Sequence, residues 1–232
     1  MSSDDPAELE RFILSHTAWS QAPLVPEIRV LLATEVTPLW QATETFLKLH
    51  NMEPPFWAFA WPGAQAFARW MLDAPARWAG ARVLDLGGGG GLASIAAARC
   101  GATVTLVEVD RLAGVAARLN AAANRVSLDV RIADILDADP TEALAGVDVV
   151  VVGDLFYSRP LAERVVAFLR AAAGGRDVYL ADPGRMYVPT VGVALEVEFE
   201  VPVLFDLEGQ NMKKTRILKV GADAGGPLFP WP

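Results

Sequence analysis

The chain has 232 residues, a net charge of −8 and a single cysteine, Cys100. Its length suits one large α/β domain with a helical preface, and its charge argues against a nucleic-acid partner because phosphate binding needs a basic face. One cysteine excludes an intramolecular disulfide, no apolar run is long enough to span a membrane, and the acidic start is unlike a targeting peptide. We therefore expect a cytoplasmic protein without a membrane partner.

The first part of the chain predicts a helical extension over residues 1–53. Within it the clearer helical pieces are Glu27–Thr34 and Leu39–Leu49, with prolines as breaks. The aromatic stretch Pro54–Gly63 predicts an extended segment because of its prolines, and a helix from Ala64 to Leu72 follows it.

From Arg82 onward, short apolar runs alternate with Ala-rich runs, which predicts strands that alternate with helices. The predicted strands are Arg82–Leu86, Thr103–Glu108, Leu128–Ala133, Val147–Val152 and Val178–Ala181. The predicted helices are Leu92–Arg99, Leu112–Asn124 and Leu161–Ala173, the last with Ser158 as its N-cap. This alternation predicts a parallel sheet with helices on both faces.

The C-terminal part of the chain has a different pattern. Two strand-like runs, Val197–Phe205 and Thr215–Val220, are separated by a polar stretch without a predicted helix. Strands joined in this way are antiparallel. We therefore predict one domain over 54–222, whose parallel sheet ends in an antiparallel hairpin, and a loosely held tail over 223–232.

Five consecutive glycines, Gly87 to Gly91, connect the first strand of the alternating region to its helix. Glycine lets a backbone turn tightly and approach a ligand closely. A strand, a glycine turn and a helix in this order form a nucleotide-type cofactor site, in which backbone N–H groups face the ligand.

The residues around these glycines differ from the dinucleotide fingerprint G-x-G-x-x-G. Asp85 precedes Gly87, Gly89 and Gly91, and its carboxylate would repel a diphosphate. It can instead accept hydrogen bonds from the ammonium group of a cofactor that carries an amino acid. A competing interpretation is that Asp85 only caps the following turn.

Acidic residues also follow the next two strands. Glu108 ends the second strand and can accept hydrogen bonds from ribose hydroxyls, whereas Asp110 is predicted to cap the next helix. Asp134 follows the third strand and can accept from an adenine amino group, with Ile135 packed on the ring. Each acid alone fits a turn, but together they mark the carboxyl ends of consecutive strands, where open α/β sheets bind ligands.

Two more segments follow the fourth and fifth strands. In Gly153-Asp154-Leu155-Phe156-Tyr157, an acid and a phenol can hold an ammonium group, although a capping Asp and a core Tyr would give the same pattern. In Asp182-Pro183-Gly184-Arg185, the arginine either binds a carboxylate of a partner or pairs with Asp182. Trp61, just before a predicted helix, is expected to face a cationic sulfonium or to cover the cofactor.

These motifs together resemble those of the class I, seven-stranded S-adenosylmethionine-dependent methyltransferases. Within that class they are similar to the group containing the electron transfer flavoprotein β-subunit lysine methyltransferase and its bacterial relatives. The motifs that carry the resemblance are Pro55–Gly63, Val83–Gly87, Leu119–Asn124, Gly153–Tyr157 and Asp182–Arg185. The resemblance implies a Rossmann-like, seven-stranded, mostly parallel sheet and makes 54–222 a methyltransferase domain.

The resemblance also implies roles for individual residues. Asp154 and Tyr157 would serve lysine methylation. The residues expected to hold S-adenosylmethionine are Trp61, Asp85, Gly87, Gly89, Gly91, Glu108, Asp134, Ile135 and Gly153. His16 and His50 are isolated, so no metal site is predicted.

The function implied by the resemblance is methylation of a protein lysine, with the electron transfer flavoprotein β-subunit as the leading substrate. An alternative acceptor is a ribosomal protein or a small amine such as nicotinamide. Two other classes stay open: a cofactor-binding sensor or assembly factor without catalysis, and an oxidoreductase that uses NAD or a nucleotide sugar.

Overall fold

The computed structural model describes residues 5–33 and 55–222. The predicted helix Leu39–Leu49 and the predicted tail at 223–232 lie outside these residues. The described chain begins with helix α1 (Pro6–His16), which is followed by the antiparallel strands β1 (Thr17–Ala22) and β2 (Val25–Ala33).

The prediction of a helix at Glu27–Thr34 is wrong for the residues described there, which belong to β2. Val25, Ile28, Val30 and Leu31 are buried in this strand. Their spacing matches neither a strand period of two nor a helical period of 3.6 throughout, so local pattern alone does not decide between the two. Pairing with β1 decides it, because the backbone hydrogen bonds are made between strands.

The predicted helices and strands follow in the predicted order, together with two short helices that were not predicted, Pro140–Ala143 and Phe205–Glu208. The helices are α2 (Pro62–Asp73), α3 (Leu92–Arg99), α4 (Arg111–Ala123), α5 (Pro140–Ala143), α6 (Arg159–Ala172) and α7 (Phe205–Glu208). The strands are β3 (Arg82–Leu86), β4 (Thr103–Glu108), β5 (Asp129–Ile132), β6 (Val149–Gly153), β7 (Asp177–Asp182), β8 (Val193–Pro202) and β9 (Met212–Val220).

Two local predictions need correction. The aromatic stretch is not extended throughout, because Phe56–Ala58 forms a 3-10 turn. The polar stretch between the last two strands contains the one-turn helix α7, so the predicted strand Val197–Phe205 ends earlier, at Pro202.

The strands β3 to β9 form one seven-stranded sheet in the order β5-β4-β3-β6-β7-β9-β8. The first five strands in that order are parallel, and β9 pairs antiparallel with both β7 and β8. The predicted mostly parallel sheet with a C-terminal antiparallel hairpin is confirmed. The chain order reverses between β3 and β6, and ligands of open α/β sheets bind at the carboxyl ends of strands at such a point.

Helices cover both faces of the sheet, as predicted. Consecutive residues Val83 and Leu84 of β3 belong to different core clusters, because neighbouring side chains of a strand point to opposite faces. One cluster includes Phe67 of α2 and Ile95 of α3, whereas the other includes Phe168 of α6.

The predicted helix caps have different outcomes. Asp110 caps α4, because its Oδ1 accepts a hydrogen bond from the backbone N–H of Leu112 at 2.8 Å. Ser158 occupies the N-cap position of α6, but its side chain makes no capping hydrogen bond to that helix. Pro160 in the first turn of α6 favours the start of this helix instead, because the fixed φ of proline suits a first helical turn.

Candidate functional site

A cavity of about 480 Å³, counted out to its open mouth, lies at the carboxyl edge of β3 and β6. Its lining combines residues 87–90 of the glycine loop, residues 30–32 of β2, Trp61, and Gly153 with Asp154 after β6. The predicted site residues Trp61, Gly87, Gly89, Gly153 and Asp154 therefore meet at one cavity.

The glycine loop has a backbone that other residues would strain. Gly87, Gly89 and Gly91 have φ angles of 69°, 52° and 83°, in the left-handed region that favours glycine. A Cβ built on Gly90 would lie 2.8 Å from the carbonyl oxygen of Trp57, whereas on Gly89 the nearest atom would be 3.8 Å away. The loop is thus packed at one position and open at another, and Gly91 serves the start of α3 rather than the cavity lining.

Asp85 lies beneath the glycine loop and not in the cavity lining. Its side chain is buried and accepts a hydrogen bond from the Ser94 hydroxyl at 2.7 Å. Burial raises the pKa of Asp85 to about 6, the Ser94 hydrogen bond lowers it, and the charge of Glu108 raises it. Asp85 is therefore tied to the first turn of α3 through Ser94. The predicted contact with a cofactor ammonium stays a prediction.

Glu108 fixes the glycine loop against the end of β4. Its Oε2 accepts from the N–H of Gly89 at 3.0 Å, and its Oε1 accepts from the N–H groups of Val109 and Asp110 at 2.7 and 3.2 Å. A carboxylate has about four lone-pair positions, so acceptor capacity remains for a ribose hydroxyl.

The structure does not place Asp134 and Ile135 in the cavity lining. Asp134 accepts hydrogen bonds from Arg164 at 2.9 Å and from the N–H of Leu136 at 3.0 Å, and its side chain is about half exposed. Ile135 packs against the core cluster beneath α6. Their predicted contacts with adenine stay predictions.

Asp154 has the most unusual environment among the predicted site residues. It has a φ of 59°, which non-glycine residues rarely adopt and which concentrates at functional sites. Its side chain is only 10% exposed. Burial raises the pKa of Asp154 to about 7, against the lowering effects of Arg185 and of two backbone N–H groups, while Asp182 raises it further.

Those two backbone N–H groups belong to the first turn of α2. Oδ2 of Asp154 accepts from Gly63 at 2.7 Å and from Ala64 at 3.3 Å, so a carboxylate from β6 occupies the N-terminus of this helix. A Cβ on Gly63 would lie 2.5 Å from that Oδ2. Gly63 is not among the predicted site residues, although the Pro-Gly pair at a helix start was the available signal.

Arg185 joins the carboxylates beside Asp154. Its Nη2 lies 3.4 Å from Oδ1 of Asp154 and 2.9 Å from Oε1 of Glu208, and its guanidinium lies 5.7 Å from the Trp61 ring. Asp182 accepts from the backbone N–H of Arg185 at 2.6 Å. The guanidinium therefore bridges Asp154 and Glu208, a partner that sequence analysis did not consider.

Tyr157 lies outside the first cavity. It lines a second cavity of about 570 Å³, counted out to its open mouth, together with Phe156, residues 183–186 and Lys213. Its side chain is half exposed, and its ring centroid is 5.7 Å from that of Phe56. Asp154 thus lines the first cavity and Tyr157 the second. Arg185, which contacts Asp154, also lines the second cavity.

Asn120 is a further residue whose role sequence analysis missed. It is buried on α4, accepts from the N–H of Leu31 at 2.8 Å and donates to the carbonyl of Gly90 at 2.8 Å. It therefore ties β2 and the glycine loop to α4. Asn124, one helical turn later, bonds both backbone groups of Arg29. The two asparagines at helical spacing were the available signal.

Comparison with known proteins decides the family. The electron transfer flavoprotein beta subunit lysine methyltransferase of Xenopus laevis is 38% identical over 178 residues, which cover 75% of this chain and 70% of that protein. The human protein of the same name is 36% identical over 77% of this chain and 67% of its own length. The chain belongs to the electron transfer flavoprotein beta subunit lysine methyltransferase family. It is accordingly an S-adenosylmethionine-dependent methyltransferase.

Broader comparisons agree with this family. The model of the family "Ribosomal protein L11 methyltransferase (PrmA)" matches residues 71–163. A putative RNA methyltransferase from Pyrococcus horikoshii has a TM-score of 0.53 at 19% identity, covering 81% of this chain and 98% of its own. Magnesium protoporphyrin IX methyltransferase from Synechocystis, solved with bound S-adenosylmethionine, has a TM-score of 0.50 at 16% identity, covering 68% and 78%. These structural likenesses show the shared fold.

The described residues fit the methyl donor of this family. The glycine loop lines the cavity, and Gly89 leaves it open where a side chain would fill it. In residues 5–33 and 55–222, no group of three or more His, Cys, Asp or Glu side chains is arranged to hold a metal ion. No helix in those ranges is long and apolar enough to cross a bilayer.

Proposed function

We propose that this methyltransferase acts on the ε-amino group of a lysine in the electron transfer flavoprotein β-subunit. The observation that carries the proposal is the buried carboxylate of Asp154, which lines the first cavity and lies beside the second. Six relatives with 30–38% identity carry the name of this substrate, which supports the choice of acceptor.

The residues that hold the methyl donor in this proposal are Trp61, Asp85, Gly87, Gly89, Gly91, Glu108, Asp134, Ile135 and Gly153. When bound, S-adenosylmethionine supplies a methyl group on a positively charged sulfur. Because the donor is already activated, the protein has chiefly to align the acceptor amine with it.

Asp154 captures and orients the acceptor ammonium in this proposal, and Tyr157 directs its lone pair. An ammonium group has no lone pair, so the lysine must lose its proton before transfer. A neighbouring carboxylate favours the charged form of an amine, which opposes that loss. We therefore assign the proton to solvent and only orientation to Asp154.

The proposal is tested by incubating the purified β-subunit with labelled S-adenosylmethionine and the enzyme, followed by mass spectrometry of the β-subunit. We expect a methylated lysine with the wild-type enzyme. Asp154→Ala should abolish methylation, and Asp154→Asn, which keeps an acceptor for Gly63, should lower turnover by about 10- to 100-fold through loss of the charge. Both variants should retain affinity for S-adenosylhomocysteine.

A normal rate with either Asp154 variant would contradict the assignment. Label in a ribosomal protein of a cell lysate, or in a small amine, would identify another acceptor. Cofactor binding with no labelled product would indicate a sensor or an assembly factor. Affinity for NAD in place of S-adenosylmethionine would contradict the whole proposal.

We also propose the cytoplasm as the location of this protein. Its single cysteine fits a reducing compartment, in which proteins rarely form disulfides.

A further inference from the structure

The charged groups between the two cavities include one more carboxylate than cation. The carboxylates of Asp154 and Glu208 contact the guanidinium of Arg185, and a third carboxylate, that of Asp182, accepts from the backbone N–H of Arg185. The second cation is Lys213, whose Nζ lies 3.3 Å from Oε2 of Glu208. When all five groups are ionised, three negative and two positive charges leave a net charge of −1. Buried charges need partners, so this cluster favours one additional cation.

The contacts of Arg185 are unequal and incomplete. Its Nη2 is 2.9 Å from Glu208 but 3.4 Å from Asp154, so the contact with Asp154 is the weaker one. Two buried atoms of the cluster, Nε of Arg185 and Oδ2 of Asp182, have no hydrogen-bond partner among the described residues. A buried network with unsatisfied members is not in its best-paired arrangement.

Asp154 has one oxygen for an incoming cation. Its Oδ2 is held by the N–H groups of Gly63 and Ala64, which leaves Oδ1, and Arg185 occupies Oδ1 in this structure. The Trp61 ring beside the guanidinium can stabilise any cation at this position.

We propose that Arg185 occupies the position of the acceptor ammonium at Oδ1 of Asp154, and that it gives up this contact and keeps the one with Glu208 when the acceptor arrives. This inference rests on the proposed lysine acceptor. Arg185 is thus a positioning residue: it partners Asp154 in this structure, and Glu208 holds it away from the acceptor afterwards. The acceptor then supplies the missing third cation of the cluster.

The test uses n-butylammonium as a probe of the lysine side chain, with the protein saturated by S-adenosylhomocysteine. Binding is measured from the NMR chemical shift of the backbone amide of Gly63, which donates a hydrogen bond to Asp154. At about pH 8.5 the probe stays charged and Asp154, with a pKa of about 7, is ionised. The uncharged analogue n-butanol serves as the control ligand.

The expected results form a double-mutant cycle. Arg185→Gln should strengthen probe binding about tenfold because the competing cation is gone, and Arg185→Lys should resemble the wild type. Glu208→Gln should weaken probe binding about fivefold in the wild-type background and leave it unchanged in the Arg185→Gln background. The matched control Arg82→Gln removes an exposed Arg–Asp pair at the opposite end of β3 and should leave binding unchanged.

Weaker probe binding in Arg185→Gln would overturn the proposal, because Arg185 would then support the position rather than occupy it. Equal weakening by Glu208→Gln in both backgrounds would also overturn it, since Glu208 would then contact the probe itself. Thermal unfolding and S-adenosylhomocysteine affinity identify a variant that is misfolded, and Arg185→Met, which also removes the charge, then replaces Arg185→Gln in the comparison. Probe binding does not depend on the β-subunit, so failure of the proposed substrate is recognised separately, by methylation with the wild-type enzyme.

Discussion

The replacement Asn120→Ala tests how the N-terminal hairpin and the glycine loop are held together. Asn120 is 1% exposed and bonds the N–H of Leu31 and the carbonyl of Gly90, each at 2.8 Å. An alanine would leave the N–H of Leu31 without its partner in a buried place, and the carbonyl of Gly90 without its partner beside the cavity. The buried group costs about 1–3 kcal/mol, the partly buried one about 0.5–1 kcal/mol, and the better helix propensity of alanine returns about 0.5 kcal/mol. We therefore expect the free energy of unfolding to fall by about 1–3.5 kcal/mol.

Urea denaturation measures this loss, with Asn124→Ala as the matched control. Asn124 also bonds two backbone groups of β2, those of Arg29, but near the surface, where water replaces the lost partner. Its replacement should cost about 0.5–1 kcal/mol. The affinity for S-adenosylhomocysteine, measured by calorimetry, should fall in Asn120→Ala because the loop carbonyl of Gly90 is released. Equal destabilisation by the two variants would refute the reasoning.

Two further predictions concern the glycine loop and the buried acids. Gly90→Ala should lower the free energy of unfolding by about 1–3 kcal/mol, because its Cβ would press on the backbone carbonyl of Trp57, whereas Gly175→Ala has open space and should change it little. Denaturation midpoints of the two variants compare them, and an equal effect would contradict this packing. The raised pKa values of Asp154, about 7, and Asp85, about 6, mean that the folded state binds protons more tightly, so stability should fall as pH rises from about 4 to 7. Asp154→Asn should flatten this slope in pH-dependent unfolding, and an unchanged slope would contradict it.

The sequence by itself determined the repeating part of the fold and the ends of its strands. Buried strands such as Val149–Gly153 are continuous apolar runs, and the glycines after Leu86 fix where the chain turns toward α3. Those features are local, so composition and spacing carry them. The same locality explains why Gly87, Gly89, Asp154 and Trp61 were predicted at one edge and do line one cavity.

The tertiary structure alone decided how distant segments meet. Val25–Ala33 carries a pattern that matches neither a helix nor a strand throughout, and only its pairing with β1 and its bonds to Asn120 and Asn124 settle the choice. Arg185 has an obvious local partner in Asp182, yet its guanidinium reaches Asp154 and Glu208, which are distant in sequence. Long side chains choose partners by position in space, and that position depends on strand order and register, which no local pattern contains.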